Sequence, residues 1–126
     1  MMASILLVDD DKSVLDSLRM ALEFSHYQVS TAMSCSEALK LIDEGGILPD
    51  LIITDYRLSD GQTGIQLIDS IQCALGQHMP ALLLSGDIAL AQSSDVKRID
   101  CKVLLKPVSI KTLNKEISQL LSGKAH

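Results

Sequence analysis

Short apolar runs recur along the chain, and each stops abruptly at polar residues. The first, Ser4–Val8 (SILLV), meets three acids, Asp9, Asp10 and Asp11. Later runs at 51–54 (LIIT), 81–84 (ALLL) and 103–105 (VLL) end at Asp55, Ser85-Gly86 and Lys106-Pro107. Runs this short, apolar throughout, are those of strands buried on both faces. The segment 27–32 (YQVSTA) instead alternates large and polar residues, the pattern of a strand near a sheet edge.

Helical spacing fills the intervals. Val14, Leu18, Ala21 and Leu22 share one face of Lys12–Phe24, with Asp11 placed to cap it. Ser34 and Glu37 form a capping-box pattern before Ala38, Leu41 and Ile42, and Gly45-Gly46 closes that helix. Thr63 and Gln66 repeat the pattern before Ile65, Ile68, Ile71 and Leu75, with Gly76 as the stop. Residues 88–98 predict a weak, mobile helix, because adjacent serines and sparse apolar positions leave little to bury. Ser109 caps a last helix striped by Ile110, Leu113, Ile117, Leu120 and Leu121 and ending at Gly123.

Five strands alternating with five helices predict an α/β fold, a parallel sheet with right-handed crossovers and both faces covered. At 126 residues and 47% hydrophobic content, residues 1–126 form one domain with its own core. The strand order expected at this length is 2-1-3-4-5. It makes the first and third strands neighbours at the topological switch point, where ligands bind beyond the carboxyl ends of strands. Asp9, Asp10 and Asp55 then converge in one crevice, with Ser85 and Lys106 at its rim.

Composition narrows the partners. A net charge of -5 argues against direct nucleic-acid binding, which is built from Lys and Arg. One Phe, two Tyr and no Trp leave little to stack on bases. Cys35, Cys73 and Cys101 form no CxxC pair, and His26, His78 and His126 show no metal spacing, so these histidines read as surface residues. No secretory leader and no stretch approaching about 20 apolar residues is present, which predicts no membrane span and a cytoplasmic location.

The acidic cluster carries the chemistry. Carboxylates about 4 Å apart repel by roughly 4 kcal/mol at an effective dielectric near 20, so three together call for a cation. Oxygen ligands without His or Cys suit a hard ion, Mg²⁺ above all. Lys106 adds a second positive charge and Ser85 a hydrogen-bond donor for the same anion. Together they describe a phosphoryl acceptor, with Asp55 as the carboxylate nucleophile. Asp11 reads as a helix cap, and Asp60 and Gly61 as residues that shape the turn.

Through ILLVDDD, LIITDYRLSDG, ALLLSGD and VLLKPVS, in order and at strand ends, the chain resembles a response regulator receiver domain of two-component signalling. The resemblance implies a flavodoxin-like doubly wound sheet. It implies that Asp55 takes a phosphoryl group from the phosphohistidine of a sensor histidine kinase or a histidine phosphotransfer protein. Asp10 and the Arg57 backbone carbonyl would join Asp55 around Mg²⁺, with Asp9 helping to position the ion. Ser85 and Lys106 would contact the phosphoryl group, and the Lys106-Pro107 bond would be cis. The domain would catalyse its own phosphorylation and slow dephosphorylation without turning over a separate substrate; a weak homodimer is compatible with this. DYRLSDGQTG and LLKPVS are most similar to receivers attached to hybrid sensor kinases, which implies a role in phosphorelay; the chain reads as either a stand-alone receiver or one cut from a larger protein.

Three features depart from the family pattern. Val103 stands where many receivers carry a switch aromatic, which directs any signal through Ser85, the loop after it and the weak fourth helix. Ser59 replaces a common proline, and the turn is one residue longer before Gly64. Arg57 and Asp87 lie two residues beyond Asp55 and Ser85, where a pair between them would gate the site against water; the alternative is two solvated charges. Two other readings stand against the phosphoacceptor. One is a haloacid dehalogenase-type phosphohydrolase with its nucleophile at Asp9; the other is a receiver-like interaction module that is never phosphorylated.

Overall fold

A computed structural model of the chain describes residues 2–99 and 101–124, so His126 lies outside the described residues. The strands are β1 (Ser4–Val8), β2 (Gln28–Ala32), β3 (Leu51–Asp55), β4 (Ala81–Ser85) and β5 (Lys102–Leu105). The helices are α1 (Lys12–Phe24), α2 (Cys35–Asp43), α3 (Gly64–Leu75), α4 (Ser94–Ile99) and α5 (Ile110–Lys124). The strands form one parallel sheet in the order β2-β1-β3-β4-β5, as the alternation of elements predicts.

Strand parity divides the core between two faces. Leu6, Val8, Ile52 and Leu83 pack with Ala38 and Ile42 of α2, Ile68 and Ile71 of α3, and Val96 and Ile99 of α4. On the other face Ile5, Leu7, Ile53, Leu82 and Leu84 meet Leu15 and Leu22 of α1 and Leu113 and Ile117 of α5. Each such Leu or Ile contributes about 1.5–3 kcal/mol on burial, so an almost wholly aliphatic core suffices. Asp55 shares the parity of Ile53 and therefore faces the α1/α5 side, whereas Tyr56 belongs to the α2/α3/α4 side.

Several boundaries differ from the sequence reading for identifiable reasons. Tyr27 closes α1 instead of opening β2: its N–H donates to the Leu22 carbonyl at 3.2 Å, and His26 takes a left-handed φ of 73°. This is a Schellman closure with histidine in the position glycine usually holds, so exposed His26 shapes the helix end. Asp55 and Ser85 extend β3 and β4 by one rung, opposite Leu84 and Leu105. Lys102 opens β5 because it pairs with Leu82.

The weak segment after β4 is two pieces, a 3-10 turn at Ile88–Gln92 and the short α4. The serines that lower its helical propensity divide it: Ser93 adopts extended backbone, and its hydroxyl accepts the Val96 N–H at 3.1 Å to start α4. At the last helix Ser109 accepts the Thr112 N–H at 3.1 Å as expected, but α5 runs through Gly123 to Lys124. The capping box at Thr63 and Gln66 is complete, while Ser34 caps α2 by accepting the Glu37 N–H at 3.1 Å.

Candidate functional site

The site lies at the carboxyl ends of β1 and β3, where the sheet order reverses direction. Asp9 follows β1 and is held by a bond from its N–H to the Ala32 carbonyl at 3.2 Å. Its side chain is 4% exposed, and its Oδ1 accepts the Asp11 N–H at 2.9 Å. Asp10 is exposed and Asp55 half-buried. Carboxylate oxygens of Asp9, Asp10 and Asp55 all lie within 4.8 Å of one another.

Their charges are managed from two directions. Burial pushes the Asp9 carboxyl above its ordinary value, opposed by the Asp11 N–H and reinforced by the charge on Asp55. Lys106 Nζ lies 2.7 Å from Asp55 Oδ1. Lys106 follows β5, and its N–H donates to the Ser85 carbonyl at 2.8 Å, which fixes the root of the side chain beside the end of β4. The Lys106-Pro107 bond is cis. Ser85 is 5% exposed, and its Oγ accepts the Asp87 N–H at 3.1 Å, a bond that uses a lone pair and not the hydroxyl proton.

A cleft of about 760 Å³ opens over this cluster, its polar end formed by Asp9, Asp10, Asp55 and Lys106 and its apolar wall by Leu18 and Leu113. The donor set facing it is entirely oxygen, apart from the lysine, and crowded with negative charge. Such a set suits a hard divalent cation better than zinc, and offers nothing to a thiolate-bound metal.

Asp11 borders the cleft but is occupied as the N-cap of α1. Its Oδ1 accepts from the Ser13 hydroxyl at 2.8 Å and the Ser13 N–H at 3.0 Å, and these bonds hold its carboxyl below the ordinary value. Arg57 and Asp87 do not meet: among the described residues no ion pair joins them. The guanidinium of Arg57 stands over the Tyr56 ring, 6.0 Å from its centroid. The Asp87 carboxylate accepts the Ala89 N–H at 2.9 Å and caps the 3-10 turn. The proposed gate is therefore not formed, because each charge has a nearer local partner.

Two positions escaped the sequence reading. Thr54 is fully buried, and its hydroxyl donates to the main-chain carbonyl of Asp55 at 2.9 Å. Gly64 crowds the same carbonyl: a Cβ there would stand 2.5 Å from the Asp55 oxygen and 2.5 Å from Leu83 Cδ1. A glycine at a helix start gives no sequence signal of close approach, since the contact is made by a different strand.

A doubly wound sheet with a strand-end aspartate, two neighbouring acids and a lysine defines a phosphoacceptor domain of the CheY-like class. Residues 5–118 match the response regulator receiver domain family, and the chain belongs to that family. It is 34% identical over 125 residues, 98% of its length, to the transcriptional regulatory protein GlrR of Escherichia coli (strain K12). It is 31% identical over 110 residues, 86% of its length, to the two-component response regulator ARR11 of Arabidopsis thaliana. The chain spans 27% and 20% of those two proteins. Among solved structures it is similar to a CheY-like receiver domain protein from Methanospirillum hungatei JF-1, with a TM-score of 0.86, 28% identity and 99% and 98% of the two chains covered. Receiver domains bind Mg²⁺ at an acidic aspartate cluster, and the oxygen set described above is such a group. Among the described residues no helix is long and apolar enough to cross a membrane.

Proposed function

We propose that Asp55 is the phosphoacceptor and that Asp9, Asp10, Ser85, Lys106 and the Arg57 carbonyl assist it. The observation that supports this reading is the convergence of three carboxylates within 4.8 Å, one of them 2.7 Å from Lys106. A carboxylate oxygen of Asp55 attacks the phosphorus of a phosphohistidine, the P–N bond breaks, and its electron pair returns to the imidazole. Lys106 is placed to follow the negative charge from the free carboxylate to the phosphoryl oxygens, and Ser85 retains a proton to donate to them. Mg²⁺, held by Asp10, Asp55 and the Arg57 carbonyl with Asp9 behind them, would neutralise the same oxygens.

The donor is a sensor histidine kinase or a histidine phosphotransfer protein. The response passes from Ser85 through Asp87 into the 3-10 turn and α4, and alters the surface around α4 and β5. Asp9 is a poor candidate for nucleophile in a phosphohydrolase, because it is buried and already accepts the Asp11 N–H. Intact mass after exposure to Mg²⁺ and acetyl phosphate tests the assignment. Wild type is expected to gain one phosphoryl group and Asp55→Asn none; equal gain by both would exclude Asp55.

A further inference from the structure

The turn after Asp55 is a closed hairpin. Gly64 N–H donates to the Tyr56 carbonyl at 2.7 Å, Leu58 N–H to the Gln62 carbonyl at 3.1 Å and Gly61 N–H to the Leu58 carbonyl at 3.3 Å. Arg57 and Thr63 are its facing pair. Leu58, 6% exposed, anchors one strand in the core, and Gly61 takes φ 80° at the tip. The tip reaches another element: Asp60 Oδ2 accepts the Ser36 N–H at 3.3 Å, in the first turn of α2. That N–H is one of the orphan donors of the helix start and is not the one Ser34 satisfies, which is Glu37's. The Asp60 charge is also felt at neighbouring Cys35, where it adds to the burial that raises the thiol.

We infer that Asp60 is a positioning residue for the cation site: by tying the hairpin tip to α2 it fixes the strand that carries the Arg57 carbonyl. In the sequence Asp60 is recognisable only as a residue that shapes its own turn. The inference rests on the phosphoacceptor reading, in which that carbonyl is a ligand. Among the described residues Leu58 anchors the hairpin in the core, and the tip bond to Ser36 adds a tether to a second element that would restrain rotation about that anchor. Partners that orient a ligand from behind commonly alter metal affinity.

The test compares Asp60→Asn and Asp60→Ala with wild type. Both variants lose the same charge, but asparagine keeps an oxygen that can accept the Ser36 N–H. Mg²⁺ midpoints are read by titration, and the Ser36 amide by hydrogen exchange without metal. Asp60→Ala is expected to bind Mg²⁺ about three- to ten-fold more weakly, with faster Ser36 exchange, while Asp60→Asn stays within about two-fold of wild type in both. Equal midpoints for the two variants would overturn the inference, and so would a weaker midpoint in Asp60→Ala with unchanged Ser36 exchange. Wild type that binds no Mg²⁺ and takes no phosphate would instead defeat the phosphoacceptor reading, and the inference with it. Circular dichroism melts of both variants confirm that the titrated species is folded.

Discussion

Lys106 and Asp55 form a 2.7 Å ion pair although their strands are not neighbours, since β4 lies between β3 and β5. The lysine side chain crosses the end of β4, its backbone held there by the Ser85 carbonyl. Without a ligand, the lysine and a metal ion compete for the same carboxylate. Lys106→Met is therefore expected to bind Mg²⁺ as tightly as wild type or up to about ten-fold more tightly, while phosphoryl uptake from acetyl phosphate falls. Titration and intact mass separate the two effects. Weaker Mg²⁺ binding in the variant would mean that Lys106 organises the acids instead of neutralising one.

Protons should compete with the cation at Asp9. Its carboxyl is raised above its ordinary value, so the folded state holds that proton more tightly than the unfolded chain does. The contribution to stability is complete below the unfolded value and is lost as pH rises through the folded one. A bound divalent ion restores what ionisation removes. The melting-temperature gain from Mg²⁺ should accordingly be larger at about pH 8 than at about pH 4, within the ordinary carboxylate range, where a carboxyl raised above its ordinary value is still largely protonated. An identical gain at both values would mean that Asp9 does not contribute to the ion's site.

Gly64→Ala should be destabilising by about 1–3 kcal/mol or more, because its Cβ would meet the Asp55 carbonyl and Leu83 with no open space to enter. Urea unfolding measures the loss. Phosphoryl uptake should fall as well, since the displaced atom belongs to the backbone of Asp55, the proposed acceptor. A variant as stable as wild type would show that α3 can shift away from β3 at no cost.

Asp11 and Asp55 should respond oppositely to substitution. Asp11→Ala removes the cap of α1 and should lower the melting temperature while leaving phosphoryl uptake intact; Asp11→Asn keeps the cap and most of the stability. Loss of uptake in Asp11→Asn would place Asp11 in the reactive cluster.

Amide exchange should be fastest along residues 88–99 and slow along α3. The former are a 3-10 turn and a six-residue helix, whereas α3 buries Leu67, Ile68 and Ile71 and carries a complete capping box. Uniform protection across both would remove α4 as the element that moves on phosphorylation. Arg98 ties α4 to Asp69 of α3 at 3.5 Å, but with both groups well exposed the pair should slow exchange little.

The aliphatic runs at Ile5, Leu6, Leu7 and at Leu51, Ile52, Ile53 made the strands legible, because a strand buried on both faces has no polar position to disguise it. The groups proposed to react were legible for the same reason: Asp9, Asp55, Ser85 and Lys106 are conspicuous where apolar runs end. Residues 88–98 were harder, since Ser93 can weaken a helix or begin one, and its neighbours decide which.

Sequence alone determined the alternation of strand and helix; the sheet order, the switch point and the acids that gather there follow once the doubly wound order common at this length is adopted. These follow from local periodicity and from the few topologies that cover both faces of a parallel sheet. Tertiary structure alone decided that Lys106 reaches over β4 to Asp55, that Gly64 must lack a side chain, that Asp60 touches Ser36 and that Arg57 turns to Tyr56 instead of Asp87. Each of these depends on distances between elements remote or newly turned in sequence, and such distances are fixed by packing, which leaves no periodic trace along the chain.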